Sequence, residues 1–467
     1  MGSILDAPSK PFITSAPTLA TPTITDSPIA VVGMSQDRKT LIGASTTAPY
    51  QLHYSTNDGA TWSSGLLTSA ENAQITGAIE TDNMELLLVP AQSWFLARTS
   101  NWKDRTMGGG TVTSTHLMST RASGIYVRPQ WGLVNHGEIS LLAEYGAKSN
   151  APLTNNARYV YMSKDDTKFI PIFDLQANAG ALEGLEINPV SGGYHCHAVE
   201  YDPWANRIWI TGGDNNDWIV YSDDAVDLEI WSDGVTTSAS TTLTVASSTT
   251  TTFTSKHIGK AIRGAGIPAG TTIVSVTDYR TVVLSSPATA TSSGVLINVG
   301  PLTWVTYHYG RSGRFQVTGI IPAPEGVYFG ADGYPTGFHF AQRNQSGGNK
   351  PGQIKNKLMT AAYSTGVGQH LQMGAYRAKD LADAPILITG VSNTVGVGGY
   401  LALIHPNGQG VWKLWDDPWT NDAYASIVQI FHTYSGNIIG SIQSTRTASG
   451  WQMFKAPMPK LPVRSIL

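Results

Sequence analysis

The amino-acid sequence predicts an all-β protein in which one unit of short strands recurs along the chain and one small β domain interrupts the series. Charged residues make up 13% of the 467 residues, well below the roughly 25% of an ordinary soluble domain, whereas Gly occurs 48 times. Short apolar strands alternate with Gly, Asn, Asp and Pro at a spacing of about 40 to 55 residues. Residues 232–300 depart from that spacing and are rich in Ser and Thr.

The segment Tyr54–Trp62 describes one self-contained β-hairpin. Its strand ends in Tyr-Ser, the turn Asn57-Asp58-Gly59 reverses the chain, and Thr61-Trp62 returns. The opening recurs at Tyr221-Ser222-Asp223-Asp224, but the closing tryptophan is missing there. Thr303-Trp304 supply the closure much further along the chain, so we expect an inserted domain in the turn of this hairpin.

The repeated units have the spacing of β-propeller blades. We count seven, with six as the alternative because the second and third are weakly marked. The predicted fold is therefore a β-propeller of seven or six blades with an inserted small β-sandwich domain. Its organisation is an extended N-terminal arm (1–25), a propeller in two parts (26–224 and 303–458), the insert (225–302) and a C-terminal tail (459–467).

The insert shows alternating apolar positions that a disordered linker would lack. A Ser/Thr-rich linker fits residues 236–255, but Thr271–Val276, Thr281–Leu284 and Val295–Val299 read as strands, with a turn at Gly266–Gly270. A hairpin tip accepts such a domain at little cost, because its two ends lie only one strand spacing apart.

Composition excludes several classes of partner. A net charge of −3 gives no broad positive field, so we expect no nucleic-acid partner. No segment approaches the ~20 apolar residues that a membrane span needs, so we expect no membrane insertion. Cys196 is the single cysteine, which excludes an intrachain disulfide. The first residues lack the apolar run of a secretory leader.

The Tyr54–Trp62 hairpin resembles the Asp-box, S-x-D-x-G-x-x-W, of sialidase-like (BNR-repeat) β-propellers, with Asn in the usual Asp position. The resemblance implies a structural role: the polar turn side chain satisfies backbone donors, the Gly takes a conformation that other residues avoid, and the Trp packs between blades. It implies little about activity, since the Arg-Ile-Pro of hydrolytic sialidases is missing. The box residues are Ser55, Asn57, Gly59 and Trp62 and, in the split copy, Ser222, Asp223 and Trp304.

The insert is similar to small immunoglobulin-like domains of tailed-phage virion proteins. The shared pattern appears here as Gly259-Lys260-Ala261-Ile262 and as the run Gly264–Ile273. The resemblance implies a tail or tail-tip component that is made in the host bacterial cytoplasm and carried in the virion. Its partners would be other tail proteins and a host cell-surface glycan, and tail components commonly form a cyclic homo-oligomer.

Candidate polar ligands lie in the fourth and fifth units. His195 and His197 place two imidazoles on one strand face, as metal ligands or sugar-binding donors require. No third metal ligand has a defined spacing, so we expect a pair that lines the propeller channel. Glu200, Asp202, Asp214 and Asp332 are candidates for two carboxylates that face a sugar, although Asp202 and Asp214 also fit turn chemistry.

Aromatic residues near turns are candidates for sugar stacking, because flat apolar faces bind sugar rings. These are Trp204, Tyr334, Trp415 and Trp419. No cofactor is expected; calcium at residues 214–217 is the alternative, although the spacing matches no known loop. We therefore expect a phage tail protein that recognises a host glycan. The alternatives are a propeller glycosidase or lyase and, disfavoured by the missing leader, a secreted lectin.

Overall fold

The computed structural model shows seven small antiparallel sheets in succession along the chain, besides one separate sheet in the middle. The residues that the structure describes are 17–47, 51–63, 67–68, 74–90, 96–99, 102, 112–113, 115–118, 125, 127–146, 157–179, 194–214, 217–246, 253–310, 316–323, 326–332, 338–342, 356–357, 375–376, 386–390, 400–404, 411–416, 426–443 and 450–459.

The first three sheets, blades 1 to 3, each follow the chain from one strand to its neighbour. Blade 1 contains β2 (Ile29–Met34), β3 (Leu41–Ser45) and β4 (Leu52–Ser55). Blade 2 contains β6 (Ile75–Glu80), β7 (Leu86–Pro90), β8 (Leu96–Thr99) and β10 (Thr115–Met118). Blade 3 contains β11 (Leu133–His136), β12 (Ile139–Ala143), β13 (Tyr159–Ser163) and β14 (Ile170–Asp174).

Blades 4 to 6 repeat this arrangement. Blade 4 contains β15 (Tyr194–Asp202), β16 (Arg207–Asp214), β17 (Asp217–Ser222) and β24 (Val305–Gly310). Blade 5 contains β25 (Gln316–Ala323), β26 (Gly326–Asp332), β27 (Phe338–Gln342) and β28 (Asn356–Lys357). Blade 6 contains β29 (Ala375–Tyr376), β30 (Ile386–Gly390), β31 (Tyr400–Ile404) and β32 (Val411–Asp416).

Blade 7 joins the two ends of the chain. Its strands are β33 (Ser426–His432), β34 (Asn437–Gln443), β35 (Trp451–Pro457) and, outermost, β1 (Thr23–Asp26). In the described residues, neighbouring blades pack on one another from blade 1 to blade 5 and from blade 6 through blade 7 back to blade 1. The molecule is therefore a β-propeller, which confirms the predicted fold class with seven blades. Residues 23–25 of the predicted N-terminal arm belong, with Asp26, to strand β1.

The blades bury both of their faces, which explains their long apolar runs. Leu141 and Leu142 are neighbours on β12 and point to opposite faces, yet both are at most 2% exposed. Leu141 packs in the core between blades 3 and 4, while Leu142 packs toward blade 2. Full burial of one such side chain stabilises the fold by about 1.5–3 kcal/mol. Closure of the ring thus follows from the need to cover both faces of each sheet.

The insert lies between the third and fourth strands of blade 4. Tyr221 on β17 pairs with Val305 on β24, so the chain segments on either side of the insert are adjacent strands. The strands between them form one six-stranded sheet of their own. They are β18 (Glu229–Thr236), β19 (Thr242–Val245), β20 (Ile262–Gly264), β21 (Ile273–Asp278), β22 (Thr281–Leu284) and β23 (Ser292–Val299).

The insert sheet curls on itself around its own core. Its two edge strands, β20 and β21, are connected by a bridge between Ala261 and Thr272. Trp231 and Phe253 pack edge to face inside the curled sheet, with ring centroids 4.4 Å apart. The insert, for which the sequence predicts a β-sandwich, is a single rolled sheet with its own apolar interior.

A few short elements complete the structure. Two short strands pair in parallel, β5 (Leu67–Thr68) and β9 (Val112–Thr113). Helical elements within the described ranges include α1 (Pro129–Gly132), α2 (Leu175–Ala179) and the 3₁₀ turns η1 (Ala225–Asp227) and η2 (Ser255–His257). Within the described ranges, no helix has the length and apolarity needed to cross a membrane.

Candidate functional site

The connections between strands define two faces of the disk. In blade 4, β15 begins at Tyr194 opposite Asp214, where β16 ends; we call this side the entry face. The turn from the first to the second strand of each blade lies on the other side, which we call the hairpin face. The turns from the third to the fourth strand also lie on the hairpin face, because consecutive strands are antiparallel.

Helix α1 lies at the propeller axis. It contacts β6, β11, β15 and β25, the first strands of four consecutive blades, which places it where these innermost strands converge. Pro129 begins the helix, a position that tolerates its missing N–H. The absence of a side chain at Gly77 admits this proline, because a Cβ there would lie 2.0 Å from the Pro129 Cβ. The sequence pattern gave no indication of this axial helix.

His195 and His197 lie on the innermost strand β15, beside α1. Both side chains are buried, and their ring centroids are 4.8 Å apart. The Tyr145 ring packs edge-on against His195 at 4.7 Å, and the Arg128 guanidinium lies 5.3 Å above the Tyr145 ring. The axis thus carries two imidazoles, a phenol and a guanidinium, a set that can donate hydrogen bonds to a polar or anionic group.

Two of the candidate carboxylates occupy equivalent backbone positions. Asp214 ends β16 and Asp332 ends β26, where it pairs with Gln316 at the start of β25. Both positions are on the entry face, in adjacent blades. Tyr334 and Trp419 lie outside the described residues.

Trp204 is held out from the hairpin face by a rigid turn. The Asp202 carboxylate, itself fully buried, accepts hydrogen bonds from the Trp204 backbone N–H at 3.1 Å and from the Trp209 indole N–H at 3.4 Å. Asn206 completes the turn with a left-handed φ of 50°. The Trp204 side chain is 40% exposed, so an indole face is presented to solvent on a fixed backbone.

Trp415 occupies a different environment. It is half-buried, and its ring centroid lies 5.2 Å from that of Phe454 on the neighbouring blade 7. Its contacts are those of packing between blades.

The hairpin turn after β4 is closed by hydrogen bonds from Ser55 and Asn57. The Ser55 hydroxyl accepts the Gly59 N–H at 2.9 Å, and the Asn57 side-chain oxygen accepts the Thr61 N–H at 2.9 Å. Gly59 has a left-handed φ of 77°, and Trp62 packs with side chains of blade 7. We call this arrangement the Ser-x-Asx turn.

Two further Ser-x-Asx turns occupy the same place in blades 3 and 4. In blade 3 the Asp165 carboxylate accepts the Thr167 and Lys168 N–H groups at 2.9 and 3.0 Å. Burial raises the pKa of Asp165, but its hydrogen bonds outweigh burial and hold the pKa below its ordinary value. In the split turn, the Ser222 hydroxyl accepts the Ala225 N–H at 3.0 Å. The exposed carboxylate of Asp223 makes an ion pair with Arg207 at 2.6 Å.

Trp304 fixes the far end of the split turn to the neighbouring blade. Its indole N–H donates to the Ile172 carbonyl of β14 at 3.1 Å, and its ring packs edge-on against Phe173 at 5.0 Å. The insert rests on the same region, since Ile230 and Leu296 pack against this core. The insert is therefore seated on the propeller.

One polar contact adds to this packing of the insert on the propeller. The Lys168 ammonium, from the Ser-x-Asx turn of blade 3, donates to the Ser232 hydroxyl of the insert. Within the insert itself, Glu229 accepts from His257 Nε2 and Lys260 Nζ, each at 3.0 Å. Burial raises the pKa of Glu229, but these partners outweigh it and hold the pKa below its usual range.

Two exposed side chains on the hairpin face were not singled out from the sequence. Met84 and Tyr434 are 54% and 65% exposed and lie, like Trp204, in turns between the first two strands of their blades. Tyr434 stands next to the turn residues Ser435-Gly436. Trp204 was singled out because it is an aromatic residue in a turn, so the same pattern could have identified Tyr434 from the sequence. Among the residues that the structure describes, no group of three or more His, Cys, Asp or Glu side chains could hold a metal ion.

Comparison with known proteins gives structural similarity alone. No family model matches the chain, and no curated protein matches it. Among solved structures, YCF48 from Cyanidioschyzon merolae is 11% identical, with a TM-score of 0.45, covering 94% of this chain and 99% of its own. The RRP9 WD40 repeats are 10% identical, with a TM-score of 0.47, covering 96% and 99%. The Cps50 (Swd1) propeller domain of Myceliophteria thermophila is 8% identical, with a TM-score of 0.45, covering 94% and 99%.

Proposed function

We propose that this protein is a structural component of a phage tail or tail tip that recognises a glycan on the host cell surface. The observation that carries the glycan site is Trp204. Its indole is 40% exposed on a turn that the buried Asp202 carboxylate fixes. A rigid, exposed aromatic face binds a sugar ring with little loss of conformational entropy.

The insert supports the virion assignment. Its sequence is similar to immunoglobulin-like domains of tailed-phage virion proteins. The insert is connected to blade 4 on the hairpin face, the same face on which Trp204 lies. The Ser-x-Asx turns support a sialidase-like propeller, because the roles of Ser55, Asn57, Gly59 and Trp62 are those of an Asp-box. We propose that the protein is carried in the virion with other tail proteins as a cyclic homo-oligomer. Neither nucleic acid nor a cofactor has a part in this proposal.

The glycan site is tested by binding to immobilised bacterial surface polysaccharides. We expect Trp204→Ala to weaken binding about tenfold or more. Alanine replacement of an aromatic residue that stacks on a flat nucleobase costs on the order of 1–3 kcal/mol of binding free energy, and we expect a similar cost for a sugar ring. Trp204→Phe keeps an aromatic face and should retain most of the affinity. Tyr279→Ala, at an exposed tip of the insert, is the matched control. Unchanged binding by Trp204→Ala, or no binding by the wild type to any polysaccharide, would contradict the proposal.

The second candidate is a propeller glycosidase or lyase that degrades the host envelope glycan. The positions of Asp214 and Asp332 on the entry face, near the His195 strand, favour it. An enzyme would release reducing ends from envelope polysaccharide and lose that release in Asp332→Asn or His195→Ala. Binding without product would leave recognition as the function.

A further inference from the structure

The turn between β33 and β34 presents the most exposed large apolar side chain in the described part of the molecule. Tyr434 is 65% exposed. Its backbone N–H donates to the Arg38 carbonyl of blade 1 at 2.9 Å, and Ser435 donates to the Asp58 carboxylate. Gly436 closes the turn by donating its N–H to the Thr433 carbonyl at 3.0 Å. The ring therefore projects from a backbone that is fixed on both sides.

The Lys39 ammonium lies beside this ring. It is 4.8 Å from the centroid of the Tyr434 ring, and Lys39 is exposed. The adjacent residue, Arg38, contacts Tyr434 through its backbone carbonyl, which accepts the Tyr434 N–H. Within the described ranges, neither Lys39 nor Arg38 forms an ion pair with a carboxylate. An exposed aromatic ring thus lies beside one positive charge, and a second cationic residue belongs to the turn that holds the ring.

The nearby carboxylates are engaged elsewhere. Asp37 Oδ1 accepts from the Ser35 hydroxyl at 2.5 Å and the Lys39 N–H at 3.1 Å. Asp82 accepts from the Gln36 side chain. Asp58 accepts from Asn437 Nδ2 at 2.7 Å. The acidic groups of this region therefore serve turn geometry and contacts between blades, while the two cations remain available to an external anion.

Arg38 also occupies a backbone conformation that suits glycine. Its φ is 63°, and its N–H closes the turn to the Ser35 carbonyl at 2.9 Å. The equivalent residue of blade 7 is Gly436, with a φ of 86°. A side chain in the left-handed region costs conformational energy that glycine avoids. Arg38→Gly should consequently remove the charge without destabilising the turn.

We propose that Tyr434, Lys39 and Arg38 form a binding site for an acidic sugar, a residue that carries a carboxylate or sulfate on its ring. The inference rests on the proposed glycan recognition and names the class of glycan. The free face of the phenol ring stacks on the C–H face of the sugar, and the two cations bind its acidic group. A single exposed flat ring with a cation beside it fits one acidic sugar better than the side chains of a peptide.

The test compares an oligogalacturonate with its carboxyl-reduced, neutral counterpart by calorimetry. We expect the wild type to bind the acidic form about tenfold more tightly at low salt. A charge-assisted hydrogen bond to the carboxylate, absent from the neutral form, accounts for a difference in affinity of roughly that size. The preference should shrink as NaCl rises from about 0.05 M to about 0.5 M. Arg38→Gly and Lys39→Gln should lose the preference while the unfolding temperature is unchanged. Tyr434→Ala should weaken binding of both forms.

Three outcomes would overturn the site. The first is an acid preference that persists in the Arg38→Gly/Lys39→Gln double variant. The second is binding of a poly-glutamate peptide with the same variant dependence and no binding of either oligosaccharide. The third separates this site from the proposed function: envelope polysaccharide binding that is lost in Trp204→Ala but unchanged in Tyr434→Ala and the double variant. That result would refute the acidic-sugar site and leave host glycan recognition in place.

Discussion

Gly212 is closely packed within blade 4, against a tryptophan that contacts blade 3. A Cβ at this position would lie 2.0 Å from Trp218 Cζ2 and 2.5 Å from the His195 carbonyl oxygen. Trp218 is almost fully buried and stacks on Phe173 of blade 3, so its ring has no room to move. We expect Gly212→Ala to lower the free energy of unfolding by about 1–3 kcal/mol, the usual cost of overpacking. Urea unfolding followed by tryptophan fluorescence measures it.

A second glycine separates steric cost from backbone cost. Gly270, in the insert, has a left-handed φ of 77°, and a Cβ at this position would meet open space. Gly270→Ala should therefore lower the free energy of unfolding by only about 1 kcal/mol, the cost of placing a side chain in the left-handed backbone region. If Gly212→Ala were no more destabilising than Gly270→Ala, the packing argument for blade 4 would fail.

At the scale of elements, the insert is separable from the blade that carries it. β17 and β24 pair directly, and the residues of η1 that enter the propeller core, Ala225 and Val226, precede the insert sheet. We expect replacement of residues 229–300 by a short Gly/Asn linker to leave a folded, monodisperse propeller. Loss of the Ile230 and Leu296 contacts should lower its unfolding temperature by several degrees, since each side chain stabilises by about 1–2 kcal/mol.

Circular dichroism and thermal unfolding of this deletion variant provide the measurement. Retention of the β spectrum with a cooperative transition would agree with the paired strands. Aggregation, or loss of the transition, would show that blade 4 depends on the insert for its folding. The single variant Ile230→Ala, in the full chain, serves as the control, because it removes one contact between insert and propeller and leaves the insert in place.

At the scale of the whole molecule, the ring closes where the two ends of the chain meet. β1 supplies the outer strand of blade 7, and the Val31 N–H of blade 1 donates to the Ser441 hydroxyl at 2.6 Å. Asp58 adds polar contacts between blades 1 and 7. Its carboxylate accepts a hydrogen bond from Asn437 at 2.7 Å and lies 4.0 Å from the Lys455 ammonium. Burial raises the pKa of Asp58, but hydrogen bonds and Lys455 outweigh it, so the pKa lies below its ordinary value.

The lowered pKa of Asp58 predicts how the free energy of unfolding changes at acid pH. A carboxyl whose pKa is lower in the folded state stabilises above its unfolded pKa of about 3.9, and the contribution is lost as pH falls through the folded pKa. We expect Asp58→Asn to destabilise the protein at pH 7, and the difference from the wild type to be smaller at pH 3, below the unfolded pKa. Urea unfolding of both proteins at the two pH values tests this. An equal difference at both would show that ionisation of Asp58 plays no part in closure.

Much of the fold was predictable because its causes are local. The Asn57-Asp58-Gly59 turn and the apolar alternation of the strands depend on residues within one hairpin, so the blade period is visible in the chain. The split hairpin was predictable for the same reason, since Ser222 and Trp304 retain their local roles on either side of the insert. The strand at residues 23–26 was missed because its partner, β35, lies at the other end of the sequence.

The candidate sites divide along the same line. Local sequence patterns were sufficient for the all-β class and the propeller architecture, because dihedral preferences and alternation act over a few residues. Tertiary packing was needed to show that Trp204 is exposed while Trp415 packs between blades, that α1 occupies the axis, and that Lys39 lies over the Tyr434 ring. Those relations join residues far apart in the chain, and burial and charge pairing depend on neighbours that only ring closure brings together.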